Sequence, residues 1–159
     1  MISVAVITLS DKGAAGQRAD TSGPLIAEML SGIAEVRFYD ILPDEREQIR
    51  NKLIQYVDRV DLILTTGGTG LAPRDVTPEA TLDVVEREIP GIAEVMRAEG
   101  MKKTDRSMLS RAVAGVRGKT LIINLPGSPK AVRENLSVIL GAIPHAVEKI
   151  KGDPGECAR

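Results

Sequence analysis

Four short runs with the composition of β-strands recur along the chain, and each ends in a polar or glycine-rich segment. Three are mainly apolar, Ile2–Leu9, Asp61–Thr66 and Lys119–Leu125, whereas Glu35–Leu42 alternates apolar and polar residues. Short apolar runs bounded by turn residues are typical of buried β-strands. Because segments long enough for a helical crossover separate them, the pattern predicts an α/β fold with a parallel sheet covered by helices on both faces.

The intervening segments have the periodicity of amphipathic helices. Predicted helices begin at Thr21 and Thr77 and span Asp44–Val57, Pro90–Met101 and Ser128–Ile150. The helix from Thr77 is expected to carry Leu82, Val85 and Ile89, and the last helix to break near Gly141 and Pro144. Residues 13–20 are small and polar, which predicts a mobile loop.

The length of 159 residues fits one domain, with a tail expected to be disordered from about Lys151. Apolar residues make up 43% of the chain and charged residues 27%, as in a soluble globular protein. The net charge of −1 argues against nucleic acid or an anionic membrane as a partner. No apolar run approaches the roughly 20 residues that span a bilayer, and the N-terminus is expected to be a strand rather than a signal peptide.

Cys157 is the single cysteine, so neither a disulfide framework nor a cysteine zinc site can form within one chain. This usage suits a reducing compartment, and we expect a cytoplasmic protein. Cys157 itself is interpreted as an idle thiol in the tail. His145, the single histidine, lies in the last helical segment, where a structural role is favoured over a catalytic one.

In parallel sheets, ligands bind beyond the carboxyl ends of the strands, so the loops after the four runs are the candidate site. The loop Thr65–Gly70 contains three glycines, which allow positive φ and a close backbone approach. Its N–H groups can face an anion, with threonine hydroxyls as further donors. A tight turn into a helix explains the same residues, and the glycines alone do not decide between the two.

Two familiar phosphate motifs are rejected. Gly68 and Gly70 lack the third glycine of a dinucleotide fingerprint, because Pro73 occupies its place. The triplet 118–120 resembles the end of a P-loop, but it precedes a strand, and Val113 stands where the first glycine belongs. The chain therefore shows neither an NAD site nor a P-loop.

Two aspartates border these loops. Asp75 precedes Thr77, which is expected to cap the next helix and so leave the Asp75 carboxylate available to Mg²⁺. The alternative is a turn aspartate paired with a nearby arginine. Asp44 with Glu47 resembles a capping box, although one oxygen could cap the helix while the other faces the site.

The remaining strand-end loops supply polar groups. After the fourth run, Ser128 is expected to cap a helix whose free N–H groups attract anions, and Lys130 could reach a phosphate. After the first run come Ser10 and Asp11, for which a simple Asx-turn is the alternative interpretation. All four loops are predicted to lie on one side of the sheet, which makes them a stronger candidate together than singly.

Taken together, these motifs resemble the molybdenum cofactor biosynthesis family, which includes bacterial molybdopterin adenylyltransferases and the G domain of gephyrin. The matching segments are Ser10–Asp11, Thr65–Gly70, Pro73–Glu79, Met108–Arg111 and Gly118–Ser128. The resemblance covers about residues 2–150. It implies a three-layer α/β/α sandwich with a mostly parallel central sheet, and a homo-oligomer that is usually a trimer, with a hexamer as the alternative.

The resemblance also implies an activity: molybdopterin and ATP give adenylyl-molybdopterin and pyrophosphate, with Mg²⁺. The two essential aspartates of the family fall on Asp44 and Asp75, as catalytic and metal-holding residues. Its nucleotide- and pterin-binding positions fall on Ser10, Asp11, Thr66, Gly67, Gly68, Thr69, Gly70, Ser110, Arg111, Pro126, Gly127, Ser128 and Lys130. The alternatives are a non-catalytic molybdopterin carrier and a scaffold, and other enzymes of molybdenum cofactor synthesis are expected partners.

Overall fold

A six-stranded sheet forms the centre of the fold, in a computed structural model that describes residues 1–156; Cys157 lies outside them. The strands are β1 (Ile2–Leu9), β2 (Ala34–Leu42), β3 (Leu62–Thr66), β4 (Arg87–Glu88), β5 (Ala114–Arg117) and β6 (Thr120–Leu125). Their order across the sheet is β2-β1-β3-β6-β5-β4. The disorder expected from Lys151 onward stays a prediction.

Residues 1–156 also form seven helices and two short 3-10 segments, of which α6, α7 and the 3-10 segment between them follow the last strand. The helices are α1 (Asp11–Ala14), α2 (Ser22–Leu30), α3 (Arg46–Tyr56), α4 (Thr77–Leu82), α5 (Pro90–Met101), α6 (Pro129–Ile139) and α7 (Ile143–Ile150). The 3-10 segments are Asp105–Leu109 and Leu140–Ala142, and the second separates α6 from α7 near the predicted break. Within this range, every helix is too short or insufficiently apolar to span a membrane.

Four adjacent strands, β2, β1, β3 and β6, run parallel, as predicted. Strand β1 lies inside the sheet, next to the edge strand β2, because its Val4 pairs with Val36 on one side and Leu62 on the other. The connection from β1 to β2 builds toward one edge, and β3 then begins on the opposite side of β1. The carboxyl ends of β1 and β3 therefore flank the point at which the strand order reverses, where open α/β sheets bind ligands.

Alternate residues of the strands enter two separate apolar cores. Val4 and Val6 belong to the core beneath α2, α6 and α7, while Ala5 and Ile7 belong to the core beneath α3 and α4. This alternation follows from the two-residue period of a strand. The predicted three-layer α/β/α sandwich is confirmed.

Several elements differ from the sequence prediction, among them the short helix α1, which was not predicted. The helix from Thr77 ends at Leu82, so the expectation that it continues through Val85 and Ile89 is wrong. Instead, Glu86 N–H and Ile89 N–H donate to backbone carbonyls of the β5 segment at 2.9 and 2.8 Å, which places β4 at the sheet edge. Strand β4 forms because β5 supplies the hydrogen-bond partners of this segment, and the hydrophobic periodicity of the segment alone does not predict this pairing. Strand β5, which pairs antiparallel with β6, was likewise not predicted.

Candidate active site

A cleft of about 490 Å³ opens at the carboxyl ends of β1, β3 and β6. It is lined by eight of the residues singled out from the sequence: Ser10, Asp44, Thr66, Gly67, Gly68, Asp75, Gly127 and Ser128. The other predicted site residues lie outside this lining: Asp11, Thr69, Gly70, Ser110, Arg111, Pro126 and Lys130. The structure therefore brings the two aspartates and both glycine-containing loops together in one cleft.

The turn after β3 requires glycine at two positions. Gly67 and Gly68 have φ values of +99° and +69°, which side chains rarely tolerate. A Cβ on Gly67 would lie 2.4 Å from the Leu9 carbonyl oxygen, and one on Gly68 would lie 2.3 Å from Thr77 Oγ1. The turn thus packs directly against the end of β1 and the start of α4.

A buried polar network supports this turn from below. Thr77 does not cap α4 as expected; its Oγ1 donates to the Gly67 carbonyl at 2.9 Å, and its N–H donates to the Gly68 carbonyl at 3.2 Å. Thr81 Oγ1 donates to the Thr77 carbonyl and accepts from Asn124 Nδ2, both at 2.9 Å. Because Thr77, which is buried, binds both carbonyl oxygens of the turn, the turn is fixed against the start of α4.

Asp44 does not cap a helix. Helix α3 begins at Arg46 without a side-chain cap bond, so the predicted capping box with Glu47 is absent. Asp44 Oδ2 accepts the Asp11 N–H at 3.1 Å, whereas Oδ1 is buried and has no hydrogen-bond partner among residues 1–156. An unpartnered buried carboxylate oxygen is costly, which points to a ligand supplied from the cleft.

Asp75 reaches the cleft from the opposite loop. Its Oδ2 accepts the Ala72 N–H at 3.0 Å, and none of the ion pairs within residues 1–156 involves it. The alternative of an arginine-paired turn aspartate is therefore not observed. Arg74, next to it, pairs with Asp11 and Glu45 instead.

The electrostatics of the cleft favour a cation. Burial raises the pKa of Asp44; the Asp11 and Asp75 carboxylates raise it further, while the Asp11 N–H and Arg74 act in the opposite direction. A positive ion between Asp44 and Asp75 would remove the repulsion between them. The described residues contain no cluster of three or more His, Cys, Asp or Glu side chains suited to a metal. Two carboxylates alone fit a divalent cation that takes its other ligands from phosphate oxygens and water.

Arg111 supports the site from outside the cleft. Its Nε donates to the Gly70 carbonyl at 2.8 Å, Nη2 donates to the Asp75 carbonyl at 2.7 Å, and Nη1 pairs with Glu79. Its N–H donates to the Thr69 carbonyl at 2.9 Å. With these donors engaged, Arg111 holds the loop that carries Asp75.

Ser110 and Lys130 do not line the cleft either. Ser110 Oγ accepts the Ala112 N–H at 3.3 Å, and its carbonyl accepts from Arg97, which ties this segment to α5. Lys130 is exposed in the first turn of α6. Their assignment to the binding site stays a prediction.

The loop after β6 closes the third side of the cleft. Ser128 caps α6 as predicted, because its Oγ accepts the Ala131 N–H at 3.2 Å. Thr66 Oγ1 donates to the Pro126 carbonyl at 2.7 Å, which joins this loop to the end of β3. A Cβ on Gly127 would lie 3.3 Å from Gly67 Cα, so the two glycine-containing loops pack closely.

Sequence reasoning missed the segment before α2, which also lines the cleft through Arg18, Asp20, Thr21 and Ser22. Asp20 Oδ1 accepts the N–H groups of Ser22 and Gly23 at 3.1 and 3.3 Å, and Oδ2 accepts Thr8 Oγ1 at 2.7 Å. Ser22 Oγ donates to the Gly127 carbonyl at 2.7 Å. The available signal was an acidic residue two positions before a helix start, in a loop interpreted only as mobile.

The chain is similar in sequence and in structure to proteins of known family. The family described as a probable molybdopterin binding domain matches residues 5–145. The molybdopterin adenylyltransferase of Helicobacter pylori is 45% identical over 157 residues, covering 96% of this chain and 89% of that protein. Gephyrin of Dictyostelium discoideum is 44% identical over 163 residues, covering 95% of this chain and 23% of gephyrin. The crystal structure of the molybdopterin biosynthesis enzyme MoaB from Thermus thermophilus superposes with a TM-score of 0.91 at 52% identity, covering 98% of this chain and all of that one.

Proposed function

The chain belongs to the molybdopterin-binding family, as its motifs predicted, and on this premise we propose that it is a molybdopterin adenylyltransferase. In the proposed reaction an oxygen of the terminal phosphate of molybdopterin attacks the α-phosphorus of ATP. A new P–O bond forms to the adenylyl group, and the bond to the β-phosphate breaks. Pyrophosphate departs with the bonding electron pair. Relatives that carry this name support the proposal, because the similarity to this chain extends over most of their length.

The observation that carries the proposal is the buried Oδ1 of Asp44, which has no hydrogen-bond partner among residues 1–156, in a residue that lines the same cleft as Asp75. A protein that only carries the pterin has no need of two carboxylates that repel each other. A scaffold does not need such a pair of carboxylates either. The pair therefore favours the enzyme over the carrier and over the scaffold.

Mg²⁺ is the ion that this donor set fits, and Asp44 and Asp75 would hold it. Bound there, it would neutralise charge on the ATP phosphates and the leaving pyrophosphate. Hard carboxylate oxygens together with phosphate oxygens are its usual ligands.

The protein's other contribution is to position the two phosphates. The Gly67–Gly68 turn brings main chain close to the cleft. At the start of α6 the Lys130 N–H is the donor that could face an anion, because Pro129 has no N–H and Ala131 donates to Ser128 Oγ. Attack by a substrate oxygen requires no protein nucleophile, which agrees with a lining free of cysteine and histidine across residues 1–156. Catalysis then depends on orientation and on charge stabilisation.

The direct test uses purified protein with molybdopterin, Mg²⁺ and ATP labelled on the α-phosphate. We expect label to appear in the pterin product and unlabelled pyrophosphate to be released. Label that stays in ATP at every enzyme concentration would reject the enzyme and leave the carrier. Molybdopterin binding measured in parallel separates the carrier from the scaffold.

Replacement of Asp75 tests the metal assignment. Asp75→Asn keeps the shape of the side chain but removes its charge, so we expect turnover to be lost while molybdopterin binding is largely kept. Asp83→Asn is the control, because Asp83 pairs with Arg46 and does not line the cleft. Near wild-type turnover in Asp75→Asn would show that Asp75 does not hold the metal.

We extend the proposal to a cytoplasmic homo-oligomer, a trimer or a hexamer, that works beside other enzymes of molybdenum cofactor synthesis. The supports are the family to which the chain belongs and its cysteine usage. Sedimentation equilibrium gives the subunit number directly.

A further inference from the structure

Arg74 connects the loops that follow three strands. Its Nε and Nη2 donate to Asp11 Oδ2 and Oδ1 at 2.7 and 2.9 Å, and Nη2 also donates to Glu45 Oε1 at 2.9 Å. Asp11 follows β1, Glu45 follows β2, and Arg74 itself follows β3. A bidentate hydrogen bond fixes the relative orientation of the guanidinium and carboxylate groups, whereas a single hydrogen bond does not.

The Asp11 carboxylate in turn holds Asp44. The Asp44 N–H donates to Asp11 Oδ1 at 3.0 Å, and the Asp11 N–H donates to Asp44 Oδ2 at 3.1 Å. This reciprocal pair occupies Asp44 Oδ2 and leaves Oδ1, which is buried, as the oxygen of this cleft-lining residue without a partner among residues 1–156. A rotation of the Asp11 carboxylate would therefore displace the backbone of Asp44 and change where Oδ1 lies.

The pair needs a positive charge beside it. Asp11 and Asp44 are like charges that repel each other, and Asp75 adds to the repulsion at Asp44. The guanidinium of Arg74 lies against Asp11 and supplies the compensating charge. Its own loop carries Asp75, so one side chain links both halves of the candidate metal site.

We propose that Arg74 is a positioning residue for the adenylyl transfer: acting through Asp11, it sets Asp44 opposite Asp75 so that both carboxylates reach one divalent cation. The inference rests on the proposed function. Arg74 is outside the lining of the cleft, so its action goes through Asp11 and Asp44 rather than through the substrates.

The chain offers a matched control in Arg46. Arg46 Nε and Nη2 donate to Asp83 Oδ2 and Oδ1, both at 2.8 Å. The side chains of Arg46 and Arg74 are 54% and 55% exposed, so the two pairs are alike in geometry and in solvent access. Neither Arg46 nor Asp83 lines the cleft.

The experiment compares Arg74→Ala, Arg74→Lys and Arg46→Ala with the wild type in two measurements. The first is adenylyl transfer over a series of Mg²⁺ concentrations. In Arg74→Ala we expect kcat to fall about 10–100-fold and the half-saturating Mg²⁺ concentration to rise, with KM for molybdopterin within about twofold of wild type, as when support behind metal ligands is removed. Arg74→Lys should recover only part of kcat, because lysine cannot bridge Asp11 and Glu45 with a planar fork.

The second measurement is amide hydrogen exchange of the unliganded protein, which does not depend on activity. Exchange at the Asp11 and Asp44 N–H groups should accelerate about tenfold in Arg74→Ala and stay at the wild-type rate in Arg46→Ala. The proposal would be overturned if Arg74→Ala and Arg46→Ala had the same kcat and Mg²⁺ dependence and the same exchange rates at the Asp11 and Asp44 N–H groups. A fall in kcat without faster exchange would also overturn it, since Arg74 would then act on a substrate directly. If the wild type transfers no label, the proposed function fails, and the exchange rates alone decide whether Arg74 positions Asp44.

Discussion

The Asp44 carboxylate lowers the stability of the folded chain, although the proposed chemistry requires it. Its carboxylate is half-buried, repelled by two neighbouring carboxylates and left with one oxygen that has no partner among the described residues. Such a group lowers the stability of the folded chain unless a ligand compensates it. Residues that break a local rule in this way are typical of functional sites.

Asp44→Asn should therefore stabilise the protein while it removes the activity. Because the substitution deletes a charge whose pKa is raised by burial, we expect Tm at pH 7 to rise by about 2–4 °C, the shift produced by about 1 kcal/mol in a domain of this size. Calorimetry without ligands measures the shift, and the label-transfer assay measures the loss. A fall in Tm would contradict the interpretation of Asp44 as an uncompensated charge.

Gly68→Ala tests the turn after β3. The new Cβ would lie 2.3 Å from Thr77 Oγ1 and 3.1 Å from Asp44 Oδ1, at a φ of +69°. The φ alone costs about 1–2 kcal/mol, and the displaced turn should lower transfer activity strongly. Gly91→Ala is the control, since nothing lies within 4 Å of its Cβ and it sits inside α5. Chemical unfolding and label transfer check both variants, and equal effects would show that the close packing at Gly68 is unimportant.

The residues of the cleft could be predicted from the sequence only where the chain itself marks them. Asp44, Asp75 and the Gly67–Gly68 turn follow strands and carry unusual local composition, so their place at one sheet edge could be expected. Asp11 and Arg111 carry similar marks, yet their side chains bind other loops rather than line the cleft. Which of two adjacent polar groups faces a ligand depends on side-chain pairing between distant loops, and one sequence does not reveal that pairing.

Among the elements, α2 shows how a loop side chain takes over the role of a cap. The sequence places Thr21 and Ser22 at the start of this helix, and Ser22 is indeed its first residue. Thr21, however, makes no side-chain cap bond, whereas Asp20 accepts the N–H groups of Ser22 and Gly23. The helix start and the segment that lines the cleft therefore depend on the same carboxylate.

Asp20→Ala should lower the free energy of unfolding by about 1–2 kcal/mol, as the loss of a helix cap does, whereas Thr21→Ala should leave it nearly unchanged. Urea unfolding of the two variants measures the difference. The opposite ranking, with Thr21→Ala the more damaging, would mean that Thr21 is the cap after all.

The elements that were predicted correctly are those that can be recognised from the hydrophobic periodicity of their own residues. Strands β1, β3 and β6 are short apolar runs, β2 alternates apolar and polar residues, and α5 has a helical repeat. Strand β4 is two residues long, and β5 contains Gly115, so neither resembles a strand in isolation. They form because β6 offers β5 an antiparallel partner, and β5 then offers one to β4. Tertiary pairing of this kind overrides local preference.

For the whole molecule, ion pairs set the response to acid. The pKa values of Asp11 and Asp83 are lowered chiefly by hydrogen bonds from Arg74 and Arg46. Such carboxylates contribute stability above the pKa of the unfolded chain, about 4, and lose it as the pH falls through the folded value.

Two further carboxylates act with the same sign. Burial raises the pKa of Asp61, but hydrogen bonds from Lys151 and Ser3 outweigh it. Burial likewise raises the pKa of Glu79, but the hydrogen bond and charge of Arg111, together with a backbone hydrogen bond and the charge of Arg46, outweigh it. The net shift is downward for both, so their contribution is also lost in acid.

We therefore expect the free energy of unfolding to fall as the pH drops below about 4. Asp44 opposes this trend, because its raised pKa makes its own contribution favourable in acid and unfavourable as the pH rises through the folded value. The fall should be steeper in Asp44→Asn, which lacks the opposing group, and shallower in Arg46→Ala, which lacks one acid-sensitive pair. Urea unfolding at pH 7 and pH 3 gives the slopes, and identical slopes in all three proteins would refute this account.

The two-residue strand β4 has a consequence for behaviour at high concentration. A sheet edge exposes unpaired backbone groups that can recruit a strand from another chain and start aggregation. On the β4 side the edge is too short to template such pairing, and the opposite edge, β2, carries the exposed charges of Glu35 and Arg37. Both edges of the sheet are thus protected, β4 by its short length and β2 by its charges, which disfavours pairing between the sheets of separate copies of the chain.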